Sequence, residues 1–325
     1  MGVLEKLQAY IIRRLLLGIL TVYGVATLSF VLMRIVPGDP AMIALAEPGR
    51  QEGISQALLE KTRHELGLDK PLHVQYGLWL FNSLKGDFGR SSWGGDLVTK
   101  EYAKRLPISM SVAVLASVLA ALIGIPLGVI SAIRQDTIPD YVARLVAIAG
   151  LSMPSFWVAV IMIVILLRVF HWLPSLEYTS IWSNPGRSLS QLIFPAFAVG
   201  FGSIGILARM TRSSLLEVLR EDYIRTAHAK GLGERVIIIR HALRNALLPV
   251  MTILGLQLGF ALGGLVVVEV AFNLPGAGRF LYEATVRRDY NVVQASLLGV
   301  AVFVTLANLV VDVAYAWVDP RIRYK

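Results

Sequence analysis

Cysteine is absent from the 325 residues, which excludes disulfides, thiolate nucleophiles and cysteine–zinc sites. Charge is scarce: 16% of residues are Asp, Glu, Lys or Arg, against about 25% in soluble domains. Water is therefore not the solvent for which most of this chain is built. No G-x-x-x-x-G-K-[ST] loop occurs, so nucleotide phosphates are not bound by that route. The metal-binding H-E-x-x-H pattern is missing as well. His64-Glu65 begins it, but Leu68 stands where the second histidine belongs, and the five histidines are scattered. Asp87-Phe88-Gly89, within GDFGRSS (86–92), spells a kinase triplet without the HRD motif or the lysine-bearing strand, and it reads as a turn. Ionisable groups inside apolar runs are too few for a proton relay.

What is present is apolar: 55% hydrophobic residues and a mean hydropathy of +0.64. A helix needs about 20 such residues to cross about 30 Å of hydrocarbon. Six stretches qualify, at Leu15–Met33, Ile108–Ile130, Val142–Val169, Leu189–Ala208, Val250–Phe272 and Val292–Val318. Arg13 and Arg14 precede the first, but its apolar run is too long for a signal peptide and no A-x-A-like cleavage site follows. It reads as a retained anchor. The net charge of +9 comes mostly from bases flanking apolar runs, which points to a lipid bilayer and away from nucleic acid.

The same bases predict orientation. With the N-terminus inside, the cytoplasmic segments carry Lys6, Arg13, Arg14, Arg134, Arg144, the series from Arg209 to Arg244, and Arg321, Arg323 and Lys325. The two short outside loops carry only Arg168, Arg187, Arg279, Arg287 and Arg288. Both termini are then cytoplasmic. Residues 1–33 form a cytoplasmic tail and first span. Residues 34–107 form an extracytoplasmic insert with helical spacing at 55–66 and 72–84, entered through PGDP (37–40). Residues 106–318 form the core, with a cytoplasmic segment at 210–249, and residues 319–325 form a second tail.

Several spans carry helix breakers: Gly124, Pro126 and Gly128; Pro154; and Pro195 with Gly200, Gly202 and Gly205. In a bilayer the freed backbone groups need other partners, so breaks belong in a packed bundle or beside a wet path. Gly255, Gly259 and Gly263 recur every four residues, a spacing that lets helices approach closely, within the chain or across a subunit boundary. Asn308 and Asp312 share one helix face. With Gln257 and Glu269 they are the candidate pathway or packing polars.

The segment 221–249 is too long for a simple connection. Leu215, Leu219, Tyr223 and Ala227 recur every four residues, which predicts an amphipathic helix from Met210 onward. Gly231-Leu232-Gly233 interrupts it. A second helix is expected from Glu234, with Pro249 opening the fifth span at its first turn. A basic amphipathic helix can rest on anionic lipid. Ala227 and Ala229 favour docking to a protein instead, since a lipid-facing helix would present bulky residues there.

At these residues a resemblance emerges. RTAHAKG (225–231) followed by Leu248-Pro249 resembles the EAA loop of ABC-importer permeases. VPGDP (36–40), GDFGRS (86–91), RHALRNALLP (240–249), NLPGAGR (273–279), RRDYNVVQ (287–294) and DPRIRY (319–324) resemble the dipeptide/oligopeptide branch, which includes nickel and glutathione importers. Arg225 stands where the general motif begins with glutamate, and the interval from Gly231 to Pro249 is longer than in that motif.

The resemblance implies an all-α polytopic membrane protein of six transmembrane helices, with the type I importer (MetI-like) permease fold, in a bacterial inner membrane. It implies a non-catalytic subunit that pairs with a second, related permease. Two ATP-binding subunits would hold ATP and magnesium, and a solute-binding protein would deliver di- or oligopeptides outside. No cofactor is expected in this chain. Thr226, Ala227, Ala229 and Gly231 would be the ATPase-facing positions. A stand-alone secondary transporter is the alternative from another class, and would need inverted repeats and midplane ion sites.

Overall fold

A computed structural model describes residues 3–35, 38–45, 55–65, 67–175 and 177–318. Val36, Pro37, the tail at 319–325 and the side chain of Asp312 lie outside the described residues. Among those described the structure is helical, and the one extended pairing is an antiparallel bridge between Arg90 and Leu97.

The helices are α1 (Val3–Ile35), α2 (Pro40–Leu45), α3 (Gln56–Glu65), α4 (Leu72–Leu84), α5 (Val98–Ile133), α6 (Ile138–Ser152) and α7 (Ser155–Phe170). There follow α8 (Pro185–Val218), α9 (Asp222–Ala229), α10 (Glu234–Val236), a π-helical turn (Ile237–Ala242), α11 (Leu243–Ala271), α12 (Ala277–Val286) and α13 (Tyr290–Val318). Five helical stretches are long and apolar enough to cross a membrane, and the pair α6 and α7 makes a sixth if it counts as one span. The pair covers the expected third span, and the break expected at Pro154 divides it. The helix axis bends by 112° between them, across Met153–Pro154. Met153 has ψ 122°, as the clash of a proline ring with the preceding residue requires, and Pro154 itself is extended, with ψ 145°.

The other expected breaks do not occur. α5 runs unbroken through Gly124, Pro126 and Gly128, and α8 through Pro195, Gly200, Gly202 and Gly205. Most of these glycines are notches for neighbouring backbones. A methyl group on Gly205 would stand 2.5 Å from the Ala147 carbonyl oxygen, and one on Gly128 2.5 Å from that of Ala208. On Gly150 it would be 2.7 Å from the Phe201 oxygen, and on Gly200 2.7 Å from the Ala116 oxygen. α8 is thus held against α5 and α6 at backbone-to-backbone distance, the packing expected where lipid supplies no hydrophobic drive between helices.

The chain divides into two compact units. The first comprises Met1–Ile11, Met110–Leu274 and Ala307–Lys325. Its centre is α8: 61% of the most apolar part of this helix is buried, against 28% or less in the other candidate spans. Around it Val112, Ala113 and Ala116 of α5, Ala159 of α7, Leu192, Ala196 and Ala198 of α8, Leu265 and Val268 of α11, and Phe272 just after α11 form one apolar cluster. Large apolar side chains such as Leu122, Leu145, Ile148, Val160 and Val164 point outward, an arrangement suited to hydrocarbon and unsuited to water.

The second unit comprises Ile12–Ser109 and Pro275–Leu306. The described residues of 38–107 fall in this unit together with most of α1 and with α12. The expected boundary near 106 falls inside α5. Glu101 pairs with Lys104 (2.6 Å) and Arg105 (3.4 Å) at helical spacing, so these polar residues continue the helix. The expected helices at 55–66 and 72–84 correspond to α3 and α4. Tyr76 of α4 packs edge-on to Phe30 of α1 (5.3 Å), and its hydroxyl is 2.7 Å from that of Thr27.

GDFGRSS forms the turn expected of it, with Gly86 at φ 76° and Gly89 at φ 75°. The turn docks on the RRDYNVVQ segment. Ser91 Oγ donates to Asp289 Oδ2 at 2.6 Å, and Asn291 Nδ2 donates to the Arg90 carbonyl at 2.9 Å. Asp289 also caps α13, accepting from the Val292 amide at 3.3 Å.

Candidate coupling surface

The segment after α8 is a hairpin rather than one long amphipathic helix. α8 ends at Val218, and short turn bonds from the amides of Arg220 and Glu221 to the carbonyls of Glu217 and Val218 redirect the chain. Glu221 is extended, with ψ 147°, and α9 starts at Asp222. An acid in the first turn suits the positive end of the helix dipole. This break corrects the expectation of a continuous helix from Met210. The four-residue spacing is real, but it is served by two helices that fold onto each other. Leu215 of α8, Ile224 and Ala227 of α9, Ile237 and Ala242 of the π turn, Ala246 of α11 and Ala132 of α5 form one buried cluster.

α9 closes as a Schellman motif. The Gly231 amide donates to the His228 carbonyl (2.9 Å) and the Leu232 amide to the Ala227 carbonyl (3.3 Å). Gly231 has φ 74°, the left-handed conformation that glycine alone adopts without strain. A methyl group there would meet nothing within 4 Å, so the backbone, not crowding within the chain, demands this glycine.

The return arm also differs from expectation. Pro249 does not open a helix; it lies inside α11, which already runs from Leu243. Ahead of α11 comes the π turn. Its i→i+5 bonding brings residues five apart onto one face. Ile237 and Ala242 are so spaced, and both are buried. Tyr223 fastens α9 to this arm: Asn245 Nδ2 donates to its hydroxyl at 2.8 Å.

The four positions singled out by the RTAHAKG motif separate into two kinds. Thr226, Ala229 and Gly231 are exposed. Ala227 is buried and belongs to the packing between α9, α8 and α11, so it does not face outward. Thr226 satisfies its own hydroxyl by donating to the Asp222 carbonyl (2.9 Å). Beyond the glycine turn Leu232, Val236 and Ile239 are exposed apolar side chains.

The pathway candidates are spread out. Gln257 and Asn308 are half-buried on α11 and α13, and Glu269 is fully buried near the end of α11. Gly255 is buried, but Gly263 is exposed and a methyl group on it would touch nothing. The glycine that meets α7 is Gly264, where a methyl group would lie 3.2 Å from Ser155 Oγ.

Sequence reasoning missed a cluster beside the hairpin. Asp140, fully buried at the start of α6, accepts from Arg144 Nε (3.0 Å), from Arg212 Nε (3.0 Å) and a second Arg212 nitrogen (3.2 Å), and from the Asp136 amide (3.0 Å). Ser131 Oγ and Arg144 also donate to it at very short range. A buried carboxylate persists only when paired in this way. Asp136, Asp140 and Arg144 recur every four residues, a signal available in the sequence. Arg212 is 72 positions away from Asp140, and nothing local announces it.

Comparison with known proteins places this geometry. Residues 124–324 match the family of binding-protein-dependent transport system inner membrane components. The chain belongs to that family. Residues 7–113 match the N-terminal region characteristic of such membrane components. The permease is 39% identical to the dipeptide transport system permease protein DppB of Alkalihalophilus pseudofirmus, over 97% of this chain and 99% of that one. It is 40% identical to DppB of Escherichia coli K12, over 97% and 99%. It is also 40% identical to a putative peptide transport system permease of Brucella abortus, over 98% and 100%. Among solved structures it resembles a chain of the inward-facing MetNI methionine ABC transporter, with a TM-score of 0.53 at 17% identity. That match covers 96% of the solved chain but 67% of the permease. A chain of an amino acid ABC transporter gives a TM-score of 0.52 at 13% identity. At such identities the likeness concerns the fold, which is that of the ABC-importer permeases. The permease is a multi-pass inner-membrane protein.

Proposed function

We propose that this permease is the membrane subunit of an ATP-driven importer of di- or oligopeptides, and that α9 with its glycine turn is where ATPase motion enters. The observation that carries the coupling role is the two-sided hairpin. One side is locked to α8 and α11 by the Ile224–Ala227–Ile237–Ala242 cluster and the Tyr223–Asn245 bond. The other presents Thr226, Ala229 and Gly231, small residues that leave room for another surface. A short element fixed to two long helices acts as a lever. An ATPase that binds one orientation of it more tightly shifts the helices toward the corresponding state.

The peptide substrate follows from relatives that match the permease along nearly its whole length and are named for dipeptide or peptide transport. On this reading a second permease completes the path. Two ATPase subunits hold ATP and magnesium on the cytoplasmic side, a solute-binding protein delivers peptide outside, and both termini are cytoplasmic. The test is Ala229→Glu in the assembled importer. A bulky acid at this exposed position leaves the permease folded, reduces ATPase co-purification at least ten-fold and abolishes uptake of labelled dialanine and pentaalanine. If assembly and ATP-dependent uptake both persist, α9 is not the docking element. Uptake by the permease alone in liposomes would replace this reading with a stand-alone transporter.

A further inference from the structure

The Asp140 cluster occupies a mechanical position that the docking surface does not explain. It joins four pieces of chain: the last turn of α5 through Ser131, the α5–α6 turn through Asp136, the first turns of α6 through Asp140 and Arg144, and α8 through Arg212. Charges balance within it, because Arg144 also pairs with Asp136 at 3.0 Å. The carboxylate has about four lone-pair sites, and its six contacts saturate them, so Asp140 cannot exchange partners without losing one.

Arg212 lies two turns before the end of α8. It also lines an open cavity of about 490 Å³ with Ser213, Leu216, Glu217, Arg220, Glu221 and Asp222, at the corner where α9 leaves α8. The corner is thus open on one side and clasped on the other. At the same level a methyl group on Gly128 of α5 would lie 2.6 Å from Thr211 Cβ and 3.1 Å from the Arg212 amide. The base of α8 cannot slide past α5 there without separating from it.

We propose that the Asp140–Arg212 ion pair is the transmission contact of this permease. It delivers displacement of the α9 hairpin to α6, and through the bend at Pro154 to α7, so that Asp140 and Arg212 are positioning residues for coupled transport. The proposal rests on the reading of α9 as the ATPase-docking element. With the pair intact, movement of the end of α8 carries α6 with it, because a charge-assisted, two-pronged contact resists shear. Without it, α8 moves into the open corner alone.

The informative variant is Arg212→Gln, because Asp140 keeps Arg144 and the buried charge stays paired. In the assembled importer in liposomes, ATPase subunits co-purify at wild-type stoichiometry and ATP hydrolysis stays within two-fold of wild type. Uptake of labelled dialanine and pentaalanine falls at least ten-fold, so ATP consumed per peptide rises by the same factor. Arg212→Lys restores part of the uptake. Asp140→Asn in the Arg212→Gln background adds no further loss of coupling, since both act through one contact. Unchanged ATP consumption per peptide overturns the proposal. So does a parallel fall of hydrolysis, uptake and assembly, which marks a purely structural pair. Ala229→Glu run alongside separates the two ideas. If that variant still assembles and transports, the docking reading fails; if it loses the ATPases while Arg212→Gln stays fully coupled, only the transmission contact fails.

Discussion

Gly205 and Ala229 are both small residues on helices of the same compact unit, yet they are small for opposite reasons. A methyl group on Gly205 would lie 2.5 Å from a carbonyl oxygen of α6, so its smallness is consumed inside the chain. Ala229 is exposed, and nothing in the fold requires it to be small. α8 shows what small residues do for helix packing in a bilayer. α9 shows small residues left over once the fold is satisfied, and such a surplus points to a surface outside the chain.

The comparison can be broken most directly at α8. Gly205→Val forces backbone of α6 and α8 apart, and no flexible side chain can yield. The expected result is loss of the monodisperse species on size-exclusion chromatography after detergent extraction. A normal profile would show that the close approach is not needed. Next in size is Ala227→Glu. It places a carboxylate among Leu215, Ile224, Ile237 and Ala242, at a cost of about 3 kcal/mol or more for an unpaired buried charge. Limited proteolysis should then cut between 219 and 233, while Ala229→Glu leaves that region protected. Equal protection in both variants would remove the distinction between the two faces of α9. The smallest effect belongs to Gly231→Ala, which meets no steric obstacle but puts an L-residue at φ 74°. The left-handed conformation costs about 1–2 kcal/mol. The amides of Gly231 and Leu232, which hold the Schellman turn, should exchange hydrogen about ten-fold faster. Wild-type exchange would mean that the turn is not held in that conformation.

The expected element positions followed from hydrophobic run length, and most stand: α1, α5, α8, α11 and α13 contain the stretches expected to span. The errors have one origin. Pro126 and Pro195 are expected to interrupt their helices and Pro249 to open one, yet all three lie inside continuous helices; each removes one backbone donor and crowds the carbonyl four residues before it, a local cost that packing against neighbours tolerates. Pro154 differs from these three: it sits at a helix break, where Met153 and Pro154 are both extended. The same locality produced the single amphipathic helix from Met210. The spacing of Leu215, Leu219, Tyr223 and Ala227 is indifferent to a turn at Leu219–Glu221 that folds one half onto the other. Within the candidate site, Gly231 was legible because its conformation is a property of one residue. The inward orientation of Ala227 was not, because it depends on Ile237, Ala242 and Ala246 returning along the second arm. Arg212 as the partner of Asp140 was invisible for the same reason.

The sequence by itself determined the solvent of this protein, the approximate places where helices cross it, the glycine turn of the hairpin and the family. Each of these resides in run length, local conformation or contiguous motif. Only the tertiary structure decided which glycines are notches, which alanine of α9 faces inward, and that a carboxylate at the start of α6 clasps an arginine of α8. Those properties belong to pairs of residues far apart in sequence. They exist only after the backbones have approached to a distance at which one methyl group, or one ion pair, makes the difference.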